Sequence, residues 1–393
     1  MISVVIPSYN RVGILKKTLQ EYNYQTLDEF EIIVVNDGGE EITLNEEDYR
    51  YPIKCVYQEN AGPGAARNRG VRESSYEIIH FVGDDTIPER NLLFRHWYNH
   101  RRDGSKKAVQ GYTQWHPSIA SDPFHVFLDA TGLQANWQNL KQEDGSWKYE
   151  ANGYCLTTNY SIHKTEFYNA GGFNEDLAAA AWDDISLGYR VNNQGIRTVF
   201  DPGAMNYHFH HYDLESFVKR QMMEGYWRLT LCFEFPEVAS NLIPPDGLRE
   251  ARNSDLQHAI RWANELKYAS GEDIIEAQYN RWHRVLRMAS LKGILNRIDD
   301  DHPALKAIEH MHKSEQVLHI INGVAGIKRG DLAYAQHCVG WLLGVTDDNW
   351  ASHAFAAEIF LESDDIDRAK ESYRQSIKQS PNDWSQERLE ELG

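Results

Sequence analysis

No two cysteines of this chain lie close enough in sequence to build a metal knuckle or a dense disulfide framework. Cys55, Cys155, Cys232 and Cys338 are scattered over 393 residues. That pattern suits free thiols in a reducing compartment. Long apolar runs are also lacking. The opening Met1-Ile2-Ser3-Val4-Val5-Ile6-Pro7 is too short for a secretory signal, and nothing later approaches the ~18 uninterrupted apolar residues of a spanning helix. The expected location is therefore the cytoplasm. Basic charge is scarce: 40 Lys and Arg stand against 58 Asp and Glu, a formal charge of −18. Such a balance argues against nucleic acid as the main partner, because phosphate binding needs a basic face. No Gly-x-Gly-x-x-Gly follows the first apolar run, which disfavours a dinucleotide-dependent oxidoreductase. No low-complexity tract is present, and the length exceeds what one core usually fills, so two or three domains are expected.

The first 110 residues alternate strand-like and helix-like segments. Strands are predicted at Ile2–Ile6, Glu31–Val35, Ile53–Tyr57 and Glu77–Val82. Helices are predicted at Val12–Tyr24, Pro63–Arg72, where proline sits in the first turn, and Glu89–Arg102. Buried β-branched runs alternating with helices indicate a largely parallel sheet covered on both faces. From Ala108 to about His211 the pattern is less regular and rich in Trp, Tyr, Asn and Gly, suitable material for a binding site. From Asp213 to Lys313 the chain reads as helical, with Trp227, Trp262 and Trp282 as packing anchors.

Three polar clusters fall where apolar runs end: Ser8-Tyr9-Asn10-Arg11, Asn36-Asp37-Gly38-Gly39 and Gly83-Asp84-Asp85. In open α/β sheets, ligands sit beyond the carboxyl ends of the strands, which would gather Tyr9, Asp37, Asp84 and Asp85 around one cleft. The adjacent carboxylates of Asp84 and Asp85 repel each other unless a cation or hydrogen-bond donors compensate. Hard oxygen ligands suit Mg²⁺ or Mn²⁺ shared with substrate phosphates; a solvated acidic turn is the other reading.

These segments are joined by Glu59-Asn60-Ala61-Gly62-Pro63-Gly64-Ala65-Ala66-Arg67-Asn68-Arg69-Gly70, Gly171-Gly172-Phe173-Asn174-Glu175, Trp182-Asp183-Asp184-Ile185-Ser186-Leu187 and Tyr207-His208-Phe209-His210. In this order and spacing they resemble the family 2 glycosyltransferases of the GT-A fold over about residues 1–212. Members of that family are inverting enzymes that use nucleotide-diphosphate sugars. The resemblance implies a Rossmann-like, mostly parallel α/β domain with helices on both faces, a nucleotide-diphosphate sugar donor (UDP first) and Mg²⁺ or Mn²⁺ as cofactor. It implies a glycan or lipid-linked glycan as acceptor. Tyr9 would pack on the base and Asp37 would hydrogen-bond it, with Pro7 and Asn60 shaping the pocket. Arg67 would lie near the base or phosphates, its alternative being a helix-surface arginine. Asp84 would contact ribose or sugar. Asp85 would ligate the metal with His208, His210 and His211 being rivals for that place; the three histidines could instead be a structural group.

Asp184 matches the family's general base, with Trp182 and Asp183 on the acceptor side. Read alone, Trp182-Asp183-Asp184 is a helix start with acidic residues at the positive end of the dipole, and both readings can hold together. Two departures stand out. Gly83 replaces the Asp that often opens the metal motif, and Asp183 and Ser186 replace two Glu of the acceptor motif.

Residues 316–349 superimpose on 350–383 with an offset of 34, pairing His319 with His353, Asp331 with Asp365 and Ala335 with Ala369. A helix–turn–helix period of that length resembles tetratricopeptide repeats. The expected organisation is thus a transferase domain at 1–212, a helical extension at 213–315 and repeats at 316–393, the last offering a surface for dimerisation or for an acceptor chain. Arg281–Arg297 places Val285, Met288, Leu291 and Leu295 on one helical face among basic residues. Core packing is the favoured reading; docking on an anionic membrane surface is the other. Two rival functions remain in view. One is a non-catalytic scaffold acting through its repeats, which the retention of Asp37, Asp84, Asp85 and Asp184 disfavours. The other is a nucleotidyltransferase, which would want a glycine-rich basic loop in place of Pro7-Ser8-Tyr9-Asn10.

Overall fold

The first apolar run becomes β1 (Ile2–Ser8), an inner strand buried on both faces. Successive side chains point to opposite sides of a strand, and β1 accordingly serves two cores. Ile2, Val4 and Ile6 pack with Leu15, Leu19, Phe30 and Val34. Val5 packs on the other side with Val71, Phe81, Phe167 and Leu187. A continuous β-branched run is what such a position requires.

The computed structural model describes all residues except 103, 178, 180, 266–271 and 346–348. Two compact units emerge, Met1–Asp213 and Leu214–Gly393. The first is an α/β unit around an eight-stranded sheet and the second is all-helical. Around β1 the sheet is parallel: β2 (Phe30–Asn36) pairs with β1 and with β3 (Ile53–Tyr57), and β4 (Ile78–Phe81) pairs with the other edge of β1. The remaining strands are β5 (Thr86–Pro88), β6 (Lys107–Trp115), β7 (Tyr160–His163) and β8 (Arg197–His208). The order is β3-β2-β1-β4-β7-β6-β8-β5. β7 runs antiparallel to β4 and β6, while β6 and β8 are parallel. The helices are α1 (Val12–Glu21), α2 (Pro63–Glu73), α3 (Leu92–Arg101), α4 (Pro123–Thr131), α5 (Lys164–Asn169) and α6 (Asp183–Asn193).

Elements predicted from periodicity lie within a few residues of those observed. The first helix ends earlier, at Glu21, and passes into a short 3₁₀ turn at Tyr22–Tyr24. The stretch after Ala108 contains more regular structure than its composition suggests. Strand β8 is long but irregular: its pairing jumps from Gly111–Asp201 to Tyr112–Met205, and Pro202 and Gly203 bulge between. Proline and glycine there read as a turn in sequence and act as a bulge in the sheet.

In the second unit, the segment Arg281–Arg297 lies within the helix Glu272–Asp300. Val285, Leu291 and Leu295 are buried there, as the core-packing reading requires. No helix among the described residues is long and apolar enough to cross a membrane. The helices Ser314–Lys328 and Leu332–Val345 form one hairpin, and Trp350–Glu362 and Ile366–Gln379 the next. Repeat-equivalent positions behave alike. Asp331 and Asp365 each accept a hydrogen bond from the backbone three residues on, and Ala335 and Ala369 are fully buried. Gly330 and Asp364, also 34 apart, both adopt positive φ at the hairpin turn. All four cysteines are free.

Helix α2 lies so close to β1 that a Cβ on Gly70 would come within 2.3 Å of Val5 Cγ1. Both sites are buried, so neither can yield without disturbing the core. Gly70→Ala is expected to destabilise the chain by about 1–3 kcal/mol through overpacking, read as a lower urea midpoint with an unchanged m value.

Candidate functional site

Two carboxylates, Asp84 and Asp85, follow β4 directly and are almost completely buried, at 4% and 5% exposure. Their partners come from chain segments far apart in sequence. Ser8, the last residue of β1, donates its hydroxyl to Asp84 Oδ2 at 2.7 Å. Arg11, at the start of α1, spans the pair, with Nη1 3.0 Å from Asp84 Oδ1 and Nη2 2.5 Å from Asp85 Oδ2. From the end of β8, His208 Nε2 lies 3.2 Å and His210 Nδ1 3.4 Å from the same Asp85 oxygen.

Strand β5 explains this meeting. It begins at the residue after Asp85 and pairs antiparallel with the end of β8, Thr86 opposite His208. The Phe209 amide then donates to the Asp85 carbonyl at 2.8 Å. The glycine at 83, where a carboxylate often stands in the resembling family, also has a local reason. A Cβ there would sit 2.9 Å from Asp85 Oδ1.

The two carboxyls titrate in opposite directions. Burial pushes Asp84 up to about 6 against the pull of Arg11, and the negative charge of Asp85 adds to the rise. Burial acts the same way on Asp85, but His208 and Arg11 together hold it well below the usual carboxylate range.

The histidines separate in space. His208 stacks on Trp115 at 5.3 Å between ring centroids and 15° between planes. His211 turns the other way and joins Asp122 and His125, whose ligand atoms lie within 4.8 Å of one another. That trio has other work. Asp122 caps α4, accepting from the Phe124 amide, and His125 Nε2 accepts the Tyr212 amide at 3.2 Å while Nδ1 faces Asp122. Both ring nitrogens of His125 are thereby occupied.

The second polar turn, after β2, meets the first. The Asp37 amide bonds to the Ser8 carbonyl at 2.9 Å. Its carboxylate receives four donors: Gln58 Nε2 at 2.7 Å, Asn60 Nδ2 at 3.3 Å, and the Ala61 and Gly62 amides at 3.0 Å each. A carboxylate has about four lone-pair positions, so Asp37 is filled by the turn that launches α2. The direct hydrogen bond to a base that the resemblance implied would have to displace the Gln58 or Asn60 amide. Pro7 pairs in register with Val35 beneath this turn. Tyr9, in the turn after β1, is about half exposed.

Helix α2 also organises the acceptor-side motifs. Asn68 accepts the Phe173 amide at 2.9 Å and donates to the Phe173 carbonyl and Glu175. Arg67 Nη1 bonds Asp183 Oδ2 at 2.7 Å, both side chains nearly buried. Arg67 is thus tied to the start of α6 by a nearly buried ion pair. Asp183 and Asp184 form the first turn of α6, and Asp184 Oδ1 receives the Ile185 amide at 2.8 Å. Trp182, just before them, adopts φ +69°, a left-handed conformation costly for a bulky residue. Hydrogen bonds and ion pairs thus join Asp37, Asp84, Asp85 and His208 at the carboxyl ends of β1, β2 and β4, while Arg67 ties the start of α6 to helix α2. Sequence reasoning gave no role to Ser8, Arg11, Gln58 or Trp115. Arg11 alone carried a signal, as a cation inside the first motif.

Residues 3–131 match the family model described as Glycosyl transferase family 2. Validoxylamine A glucosyltransferase of Streptomyces hygroscopicus subsp. jinggangensis is 28% identical over 220 residues, covering 50% of this chain and 52% of that one. Chondroitin synthase of Pasteurella multocida is 24% identical over 244 residues, 53% of this chain and 24% of that one. The chain spans about half the length of the first of these relatives. Among solved structures, S. aureus TarS 1–349 in complex with UDP-GlcNAc superposes with a TM-score of 0.45 at 15% identity, covering 95% of this chain and 91% of that one.

Because Asp84 is raised in the folded chain, folding takes up a proton between about pH 4 and 6. Its contribution favours the fold at low pH and is lost as pH rises through about 6. Asp84→Asn is therefore expected to raise stability at pH 7.5 in EDTA by roughly 1–3 kcal/mol. At pH 4 it should change little, as read by urea denaturation at the two values.

Proposed function

Because residues 3–131 match the family model described as Glycosyl transferase family 2, we propose that this chain moves a sugar from a nucleotide-diphosphate sugar, a UDP-sugar first, to an acceptor hydroxyl with inversion at the anomeric carbon. The observation that supports the proposal is the meeting of Asp37, Asp84, Asp85 and His208 at the strand ends, with helix α2 linking the Asp37 turn to Asp183 through Arg67. A glycan or lipid-linked glycan is the acceptor, and the helical repeats are a surface for holding that chain or a second copy.

On the donor side, the exposed ring of Tyr9 stacks on the base. Pro7, Asn60 and Asp37 shape the wall beside it, Asp37 by pinning the turn before α2. Asp84 reaches the ribose or sugar. The residues present suit a divalent cation. Cis ligands on an ion bound at about 2.1 Å stand about 3 Å apart, and Asp85 Oδ2 and His208 Nε2 are 3.2 Å apart. Carboxylate oxygen and imidazole nitrogen are a donor set that Mn²⁺ accepts and Mg²⁺ tolerates. When bound there, the ion supplies positive charge to the leaving diphosphate.

On the acceptor side, Trp182 offers an apolar face to a sugar ring, and Asp183 is held by Arg67 so that the helix start keeps its place. Asp184 takes the proton of the acceptor hydroxyl as that oxygen bonds to the anomeric carbon. The bond from that carbon to the diphosphate oxygen breaks, and its electron pair leaves with the nucleotide. General-base help of this kind is worth about 10²–10⁴ in rate.

Asp184→Asn is expected to lower kcat by a factor in that range while donor affinity, measured by calorimetry, stays within a few-fold. Near-normal turnover would remove Asp184 as the base.

A further inference from the structure

Arg11 sits where a cation is needed. A single nitrogen, Nη2, bonds Asp85 Oδ2 at 2.5 Å and lies 3.0 Å from His210 Nδ1, while Nη1 holds Asp84 at 3.0 Å. The guanidinium stays protonated and is a donor only, so the His210 nitrogen facing it is the lone-pair side of the ring. Asp85 Oδ2 also faces His208 Nε2 at 3.2 Å. Arg11 therefore covers two of the atoms that could ligate an ion, and it cannot shed its charge to share them.

We propose that Arg11 is the internal counter-cation of the acidic turn and the competitor that sets its affinity for a divalent ion. It binds Asp84, Asp85 and His210 together in the metal-free chain. It leaves Asp85 Oδ2 and His210 Nδ1 when the ion enters, and that one movement uncovers both lone pairs. The side chain is about one-third exposed, so it has room to move. The inference rests on the reading that Asp85 holds a metal, and it adds His210 to Asp85 and His208 as a ligand.

The test is Mn²⁺ binding to the full chain without nucleotide, followed by electron paramagnetic resonance of the free ion. Arg11→Gln removes the competing charge and should bind Mn²⁺ at least tenfold more tightly than the unaltered chain. Arg11→Lys keeps a point charge that cannot bridge three acceptors and should fall between the two. A second readout needs no bound ion at the start. Arg11→Gln should melt lower than the unaltered chain in EDTA, and added Mn²⁺ should raise its melting temperature by more. If Arg11→Gln fails to fold in EDTA, Arg11→Lys carries both measurements. Equal or weaker Mn²⁺ binding by both variants, with the unaltered chain still binding, overturns the competition alone. Absence of Mn²⁺ binding in every form, the unaltered chain included, overturns the metal reading and this inference with it.

Discussion

Two neighbouring carboxylates buried at a strand end must be given positive charge, and much of the first unit is arranged around that demand. Like charges ~4 Å apart repel by about 4 kcal/mol at an effective dielectric of 20, a large fraction of the stability of a folded domain. Asp84 and Asp85 are compensated by Ser8, Arg11 and His208, drawn from the end of β1, the start of α1 and the end of β8. The short strand β5 and its pairing with β8 exist at the place where this compensation is made. The opposed titration of the two carboxyls is its electrostatic signature. A buried site kept at this cost is suited to binding a charged ligand.

Helix α2 performs the second act of assembly. The turn that leads into it fills the Asp37 carboxylate, its middle grips Phe173 through Asn68, and Arg67 anchors Asp183. A single rigid element thus ties the turn after β2, at Asp37, to the start of α6, at Asp183. This gives a physical reason for the long run from Glu59 to Gly70. Asn60, Arg67 and Asn68 each have a partner in a different motif, and Gly70 lets the helix lie directly on β1.

Much of the parallel half of the sheet was legible from its apolar runs, because strands buried on both faces leave an unbroken β-branched record in sequence. The repeat of 34 residues was legible for a similar reason, since Asp331 and Asp365 perform the same capping task. Strand β5 was not legible, being three residues long, and β6 and β7 did not stand out from the aromatic, polar stretch after Ala108. β8 hid behind Pro202 and Gly203. Within the site, motifs placed the carboxylates and His208 near one another. They could not say which histidine faced Asp85, because His210 and His211 lie beyond the end of β8: His210 joins His208 at Asp85, and His211 faces Asp122. Asp37 and Arg67 showed the opposite limit. Their motif positions were plain, but their hydrogen-bond partners are protein groups that only the fold brings within reach.

The account's central claim is that a divalent ion on the Asp85 side and the diphosphate of a nucleotide share one pocket at the strand ends. The most direct measurement is the phosphorus resonance of a bound nucleoside diphosphate, in the chain loaded with Mn²⁺. The claim predicts strong paramagnetic broadening of both phosphorus lines, lost on Asp85→Asn even where the nucleotide still binds. Sharp lines from a bound nucleotide in the presence of protein-bound Mn²⁺, or broadening unchanged by Asp85→Asn, would contradict it.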